Sequence, residues 1–322
     1  MSRRVLGRCL ALVVLVWLIV TLTFIAVHAV PGSFAETLDN PRLTPAAREI
    51  IRHRFGLDQP LARQYLLWLE AVLHGDLGVS FLYRRPVAEV VADALPATAL
   101  LAGSALALDL LLGLLIALAS VRRPHGRLDR VLSALSLTVW GMPTFWLAGV
   151  AVLVFSVHLG WLPASHLHDV GADAMSPAAR LLDLVRHLVL PAGCLGLVGA
   201  ASTGRYLRSS LLELRSAPFL LAARARGVDE RRLALVHELR PALLPIVTLV
   251  GLSLPMLVSG SLVIEVIFAW PGMGRVLWTA AWARDVPVVL AVTMLGAVAV
   301  VLGNLAADLL YALVDPRVRV SR

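Results

Sequence analysis

The chain has no lysine, and charge of either sign is scarce: Asp, Glu, Lys and Arg make up 16% of its 322 residues, against roughly 25% in soluble domains. That shortage excludes a surface of ordinary charge density, and with it a typical soluble enzyme. Cysteine is nearly missing. Cys9 and Cys194 sit far apart in apolar segments, which argues against a disulfide framework or a cysteine-based metal site. No Gly-x-x-x-x-Gly-Lys-Ser/Thr phosphate loop occurs, so ATP hydrolysis by this chain alone is not expected. Internal repeats and low-complexity tracts are not evident beyond runs of Leu, Ala and Val. What the chain has in excess is hydrophobic residues, at 59%. Such a composition excludes a disordered chain and reads as a membrane protein.

Cys9 to Val30 is an uncharged run. As a helix it is about 33 Å long, enough to cross a hydrocarbon core of about 30 Å. Arg3, Arg4 and Arg8 precede it. It is longer than the apolar part of a signal peptide and no Ala-x-Ala site follows, so it reads as a retained first span. Five further blocks follow: Pro96 to Val121, Val131 to Ser156, Leu188 to Gly204, Pro241 to Trp270 and Pro287 to Leu313. Their charges are limited to Asp109, Glu265 and Asp308. The expected fold is therefore all-α and polytopic, with about six transmembrane helices.

An even number of spans puts both termini on one side. The N-terminus, the 122–130 turn, the 205–240 loop and the C-terminus hold 18 of the 29 arginines. The basic side faces the cytoplasm, so both termini are expected there. This divides the chain into a cytoplasmic start and first helix (1–30), an extracytoplasmic segment (31–95) and a five-helix core (96–322) with a cytoplasmic loop at 205–240. Within 31–95, Thr44 to Phe55 and Pro60 to Leu73 read as short helices. Proline suits a first helical position, where its missing N–H costs nothing.

The cytoplasmic loop is patterned. Leu221 to Arg232 fits two short helices separated by Gly227, which can take the left-handed conformation that ends the first. Asp229 can cap the second. Ala222 and Ala223 leave a low surface on which a partner can approach closely, and Arg224, Arg226, Arg231 and Arg232 make the rest basic. A solvated, positively charged connector is the plain alternative.

Ala222, Ala223 and Gly227 match by residue and spacing the conserved loop of inner-membrane permeases in binding-protein-dependent ABC importers. The chain resembles most strongly the dipeptide/oligopeptide branch, the DppB/OppB-like subunits. That branch's Ala-Arg-Ala-Arg-Gly and His-x-Leu-Arg-x-Ala-Leu-Leu-Pro stand here at Ala223 to Gly227 and His237 to Pro245. Leu221 stands where the wider family has glutamate. Further matches are Gly56 to Pro60, Gly75 to Gly78, Leu95 to Thr98, Phe268 to Gly274 and Leu310 to Arg317.

The resemblance implies a type I ABC importer (MetI-like) permease core in a bacterial inner membrane. It implies a second DppC/OppC-like permease, two ATPase subunits or domains that bind ATP and Mg, and an extracytoplasmic solute-binding protein. It implies no cofactor in this chain and no nucleic-acid partner. The substrate is expected to be a dipeptide or oligopeptide, with nickel or another small solute as the alternative in the same family. Ala222, Ala223, Arg224 and Gly227 become the candidate ATPase-coupling residues. A secondary transporter would need repeats and coupling-ion groups, and an intramembrane enzyme would need a base paired with Ser259; neither pattern is found.

Other residues invite specific readings. Asp109 sits mid-block, where a carboxylate is expensive unless it meets a partner or a water-filled path; it is a candidate pore residue or a bundle contact. Glu265 is a candidate external gate or binding-protein contact, and Asp308 a structural anchor. Pro143, Pro191, Pro245 and Pro255 permit kinks. Trp140, Trp146, Trp161, Trp270, Trp278 and Trp282 suit interfacial anchoring. Arg205 and Arg208 read as anchors for lipid or the partner subunit. His166, His168, Asp169 and Asp173 form a cluster with possible metal-ligand chemistry, or an ordinary polar loop.

Overall fold

The computed structural model describes residues 3–29, 59–229, 232–243, 246, 250–251 and 261–314. Its regular structure there is helical, apart from one antiparallel bridge between Val79 and Pro86. The elements are α1 (Arg3–Ala29), α2 (Leu61–Leu73), α3 (Val87–Arg122), α4 (Arg127–Gly141), α5 (Thr144–Ala151) running into a π turn (Val152–His158), and α6 (Pro177–Arg215). Then come α7 (Pro218–Ala225), a π segment (Leu233–Leu239), α8 (Leu262–Ile267), α9 (Met273–Trp282) and α10 (Val286–Val314).

Among the described residues, α3, α6 and the Val286–Leu305 part of α10 are long and apolar enough to cross a membrane. The third expected span is broken: Arg127–Gly141 and Thr144–His158 pass that test only together and meet at 105°. The cause is local. Pro143 cannot continue the hydrogen-bond ladder, and Met142 before it is extended (φ −81°, ψ 134°). Within α1, Val13–Ala29 counts among the shorter apolar helices. Much of the fifth block, including Pro245 and Pro255, lies outside the described residues. The described residues thus hold three spans, or four with the bent pair, by length and composition, where six were expected over the whole chain.

The helices overrun their apolar blocks. α3 begins at Val87, well before Pro96, because Val87, Val90, Val91 and Ala94 bury one helical face while Glu89 and Asp93 stay exposed. Pro96 and Pro191 lie inside α3 and α6. α6 starts at Pro177, where the Ser176 hydroxyl oxygen accepts the Ala179 amide at 3.3 Å. Pro60 precedes α2 by one residue and is not its first helical position. The other expected helix of this segment, Thr44 to Phe55, lies outside the described residues.

α3 and α6 pack along their lengths. A Cβ on Gly196 would meet the Leu108 Cβ at 2.7 Å, so glycine is what lets the two backbones come this close. Close approach of small residues supports helix association in a membrane, where apolar burial alone does not. The first half of α3 also packs on α9 and α10 through Val87, Val91, Met273, Ala280, Val288 and Val292. Its middle meets α5, α6 and α8 around Leu101, Ala148, Ile264 and Trp270. Its far end, with Leu207 and Leu211 of α6, covers Ala242 and Ile246. α2 leans on α1: Tyr65 hydrogen-bonds Thr21 at 2.7 Å and meets the Phe24 ring edge-on.

Candidate functional site

Two ends of the helical core carry the sequence candidates. At one end, the turn after α8 is locked onto α3 at Ala97 and Thr98. Glu265 is fully buried. Thr98 Oγ1 donates to its Oε1 at 3.0 Å, and the Arg275 amide donates to Oε2 at 3.1 Å. The Met273 amide donates to Thr98 Oγ1 at 2.7 Å, and Trp270 Nε1 donates to the Ala97 carbonyl at 2.8 Å. A carboxylate beside the first turn of α9 also suits the helix dipole. A Cβ on Gly272 would meet Thr98 Oγ1 at 2.4 Å, so the backbone passes the site with no room to spare. Two motifs far apart in sequence, Leu95 to Thr98 and Phe268 to Gly274, are therefore one unit. Trp270 is buried at its centre and is not an interfacial anchor; Trp140, Trp146, Trp161, Trp278 and Trp282 are exposed. The carboxylate of Glu265 faces these internal donors and no surface.

A third motif joins the same end. Asp76 Oδ1 accepts the Gly78 amide at 2.8 Å, shaping the turn that leads to Ser80. Ser80 Oγ donates to Asp285 Oδ2 at 2.5 Å, and the Leu82 amide donates to the same oxygen at 3.0 Å. This ties the segment before α3 to the entry of α10. Burial, and next the Asp285 carboxylate, push the neighbouring Tyr83 hydroxyl above its ordinary pKa against the opposing charges of Arg275 and Arg85.

At the other end, α7 ends as expected at Gly227, which is left-handed at φ +78°. Nothing lies within 4 Å of a Cβ built there, so the demand is on backbone conformation and not on space. The Arg232 amide donates to Asp229 Oδ2 at 3.3 Å, the cap expected for the second element. That element is a π segment and not a plain α-helix. The two alanines separate. Ala223 packs inward with Leu220 and Leu233, so it does not share the approach surface read for it. Ala222 is exposed, flanked by exposed Phe219, Leu221 and Arg224. Behind the loop, Arg215 Nε donates to Glu238 Oε2 at 3.2 Å and its Nη1 donates to the Val121 carbonyl. One side chain at the end of α6 thus joins the π segment to the end of α3.

Asp109 lies on the α3 face turned to α6. A Cβ on Gly199 would meet its Oδ2 at 2.6 Å, and its Oδ1 is buried without a hydrogen-bond partner. Asp308 is on α10, with its side chain outside the described residues.

Arg208 does not reach outward as a lipid or subunit anchor, while Arg205 stays beside an exposed ring. Arg208 grips Asp129 through Nε and Nη2, each at 2.7 Å, and Arg205 stacks over Trp140 at 4.7 Å. Asp129, nearly fully buried, also accepts the His125 amide at 2.8 Å. The sequence offered only a basic turn there, with no sign of its partner on α6. The polar cluster also regroups. His168 and Asp169 meet Asp183 and His187 of α6, while Asp173 pairs with Arg180 and the His166 amide donates to the Phe268 carbonyl.

Comparison with known proteins bears on this arrangement. Residues 109–320 match the family described as "Binding-protein-dependent transport system inner membrane component", and residues 1–102 match its N-terminal companion. The oligopeptide transport system permease protein AppB of Bacillus subtilis (strain 168) is 36% identical over 319 residues, covering 99% of each chain. The glutathione transport system permease protein GsiC of Salmonella choleraesuis (strain SC-B67) is also 36% identical with 99% of each chain covered. A chain of the MetNI methionine ABC transporter, solved in inward-facing conformations, superposes with a TM-score of 0.52 at 19% identity, over 70% of this chain and 96% of that one. That likeness establishes the MetI-like permease fold.

Proposed function

The chain belongs to the binding-protein-dependent transport system inner membrane component family, and from that premise we propose that it forms half of the translocation pore of an ATP-driven importer of short peptides. It is a permease subunit, and the chemistry of ATP lies with its partners. The relatives named for oligopeptide and glutathione transport support a short peptide as the cargo. The second half of the pore is a DppC/OppC-like permease, and an extracytoplasmic binding protein delivers the substrate.

The observation that carries the reading is the loop after α6. It presents Phe219, Leu221, Ala222 and Arg224 outward on a short helix stopped by Gly227, while Leu220 and Ala223 hold that helix to the π segment. Docking of an ATPase on that outer face would move the π segment, and through Arg215 the ends of α3 and α6. In this reading the chain has six spans, residues 1–30, 31–95 and 96–322 form its three parts, and both termini face the cytoplasm of a bacterial inner membrane. Asp109 lies at the α3–α6 seam beside the path, Glu265 fixes the outer turn on which the gate rests, and Asp308 anchors α10.

Reconstituting the complete complex with its binding protein in liposomes tests the proposal. ATP-dependent accumulation of a labelled tripeptide or tetrapeptide is expected. Accumulation of neither peptide nor glutathione, with hydrolysis intact, would overturn the substrate assignment. Orientation is tested separately by impermeant thiol labelling of Ser33→Cys and Ala217→Cys in intact cells. Position 33 should label, and labelling at 217 in its place would reverse the topology.

A further inference from the structure

The loop between the π turn and α6 folds back on the first turns of α6 and gathers four side chains of metal-binding type. Asp183 and His187 lie one turn apart, so they project from one helix face. His168 and Asp169 come from the loop. Asp183 and His187 are 7% and 5% exposed. His168 Nδ1 donates to Asp183 Oδ2 at 2.7 Å, and the Asp169 amide donates to the same oxygen at 3.2 Å.

The ring of His187 is oriented from behind. Its Nδ1 lies 2.9 Å from the Asp183 main-chain carbonyl and 3.2 Å from Asp183 Oδ1. A carbonyl only accepts, so that nitrogen carries the hydrogen. The other nitrogen, Nε2, faces Asp169 Oδ1 at 3.6 Å, too far for a hydrogen bond. One donor atom each from Asp169, Asp183 and His187 lies within 4.8 Å of the others. Two atoms bound to one ion at about 2.0–2.1 Å in tetrahedral geometry are about 3.4 Å apart. The spacing of Nε2 and Oδ1 therefore suits an ion between them, and a rear N–H held by a carbonyl is how metal-bound imidazoles are oriented. One imidazole with two carboxylates favours a divalent transition ion over magnesium or calcium, which take all-oxygen shells. Asp169 is 64% exposed, which leaves an entry path.

We infer that Asp169, Asp183 and His187 bind one divalent transition-metal ion, with His168 supporting Asp183 from behind. The ion cross-links the loop to α6. The same loop donates from the His166 amide to the Phe268 carbonyl at 2.8 Å, in the turn fixed by Glu265, so the cross-link also stiffens that face of the permease.

The test uses the untagged full-length chain in nanodiscs, stripped with chelator and titrated calorimetrically with zinc chloride, then with magnesium chloride. The wild type should bind one more zinc equivalent than Asp169→Asn, which alters an exposed side chain and keeps the fold. If weak binding persists in that variant, it should be roughly 10-fold weaker or more. Zinc should raise the melting temperature of the wild type and not of Asp169→Asn. His187→Gln should lose the same equivalent. Identical zinc stoichiometry and melting shifts in the wild type and Asp169→Asn would overturn the site. Magnesium filling the same equivalent with equal affinity would overturn the choice of ion.

Discussion

The Glu265 turn and the α7 loop are both short, patterned and recognisable in sequence, yet they are built in opposite ways. In the turn, donors from Thr98 and Arg275 converge on one buried carboxylate, and Trp270 seals the unit against Ala97. In the loop, a small cluster of Leu220, Ala223 and Leu233 holds a helix whose outer side is exposed. One region spends its side chains on internal satisfaction, and the other leaves Phe219, Leu221 and Ala222 exposed.

The comparison breaks most visibly at Glu265. Glu265→Ala leaves the Thr98 hydroxyl and the Arg275 amide buried without their acceptor, at about 1–3 kcal/mol for each. A large fall in the melting temperature and yield of the purified chain is expected, with Glu265→Gln recovering part of it. If Glu265→Ala melts like the wild type and loses only transport, the turn is not a frame. Gly227→Val comes next. A left-handed φ costs a β-branched residue roughly 1–2 kcal/mol, and no clash adds to it. Loss of ATPase-partner recovery should therefore exceed loss of stability, as read by affinity capture beside a melting curve. Arg215→Ala removes a partly exposed side chain but leaves the buried Glu238 carboxylate short of a donor, at about 1–3 kcal/mol. It should still lower binding-protein-stimulated hydrolysis in liposomes, because the π segment loses its tie to α3 and α6. Full stimulation in that variant would remove Arg215 from the coupling route.

Much of this was legible along the chain. The apolar runs located α3, α6 and α10, and the residues at 227 and 229 announced a left-handed stop and a cap. Helix ends were less legible, since α3 and α6 continue past their apolar blocks on faces that alternate buried and exposed positions. The broken span was written in Gly141-Met142-Pro143, but a proline alone does not say whether a helix kinks or turns by 105°. Partnerships across the fold were hidden. Nothing local pairs Asp129 with Arg208 or Glu265 with Thr98, because a charged or polar residue declares its cost and not its partner. Ala223 was misread for a similar reason: its inward face exists only because Leu233 returns to cover it.

The proposed coupling divides the two faces of α7, with Ala222 turned to the ATPase and Ala223 turned to the chain itself. It is tested most directly by cross-linking in the assembled complex, with Cys9 and Cys194 replaced and a single cysteine placed at 222 or at 223. A short bifunctional thiol reagent should join Ala222→Cys to a surface cysteine scanned along the ATPase subunit, with ATP changing the yield, while Ala223→Cys stays unlinked. Cross-linking from position 223 and none from 222, or none from either position in an intact complex, would contradict the account.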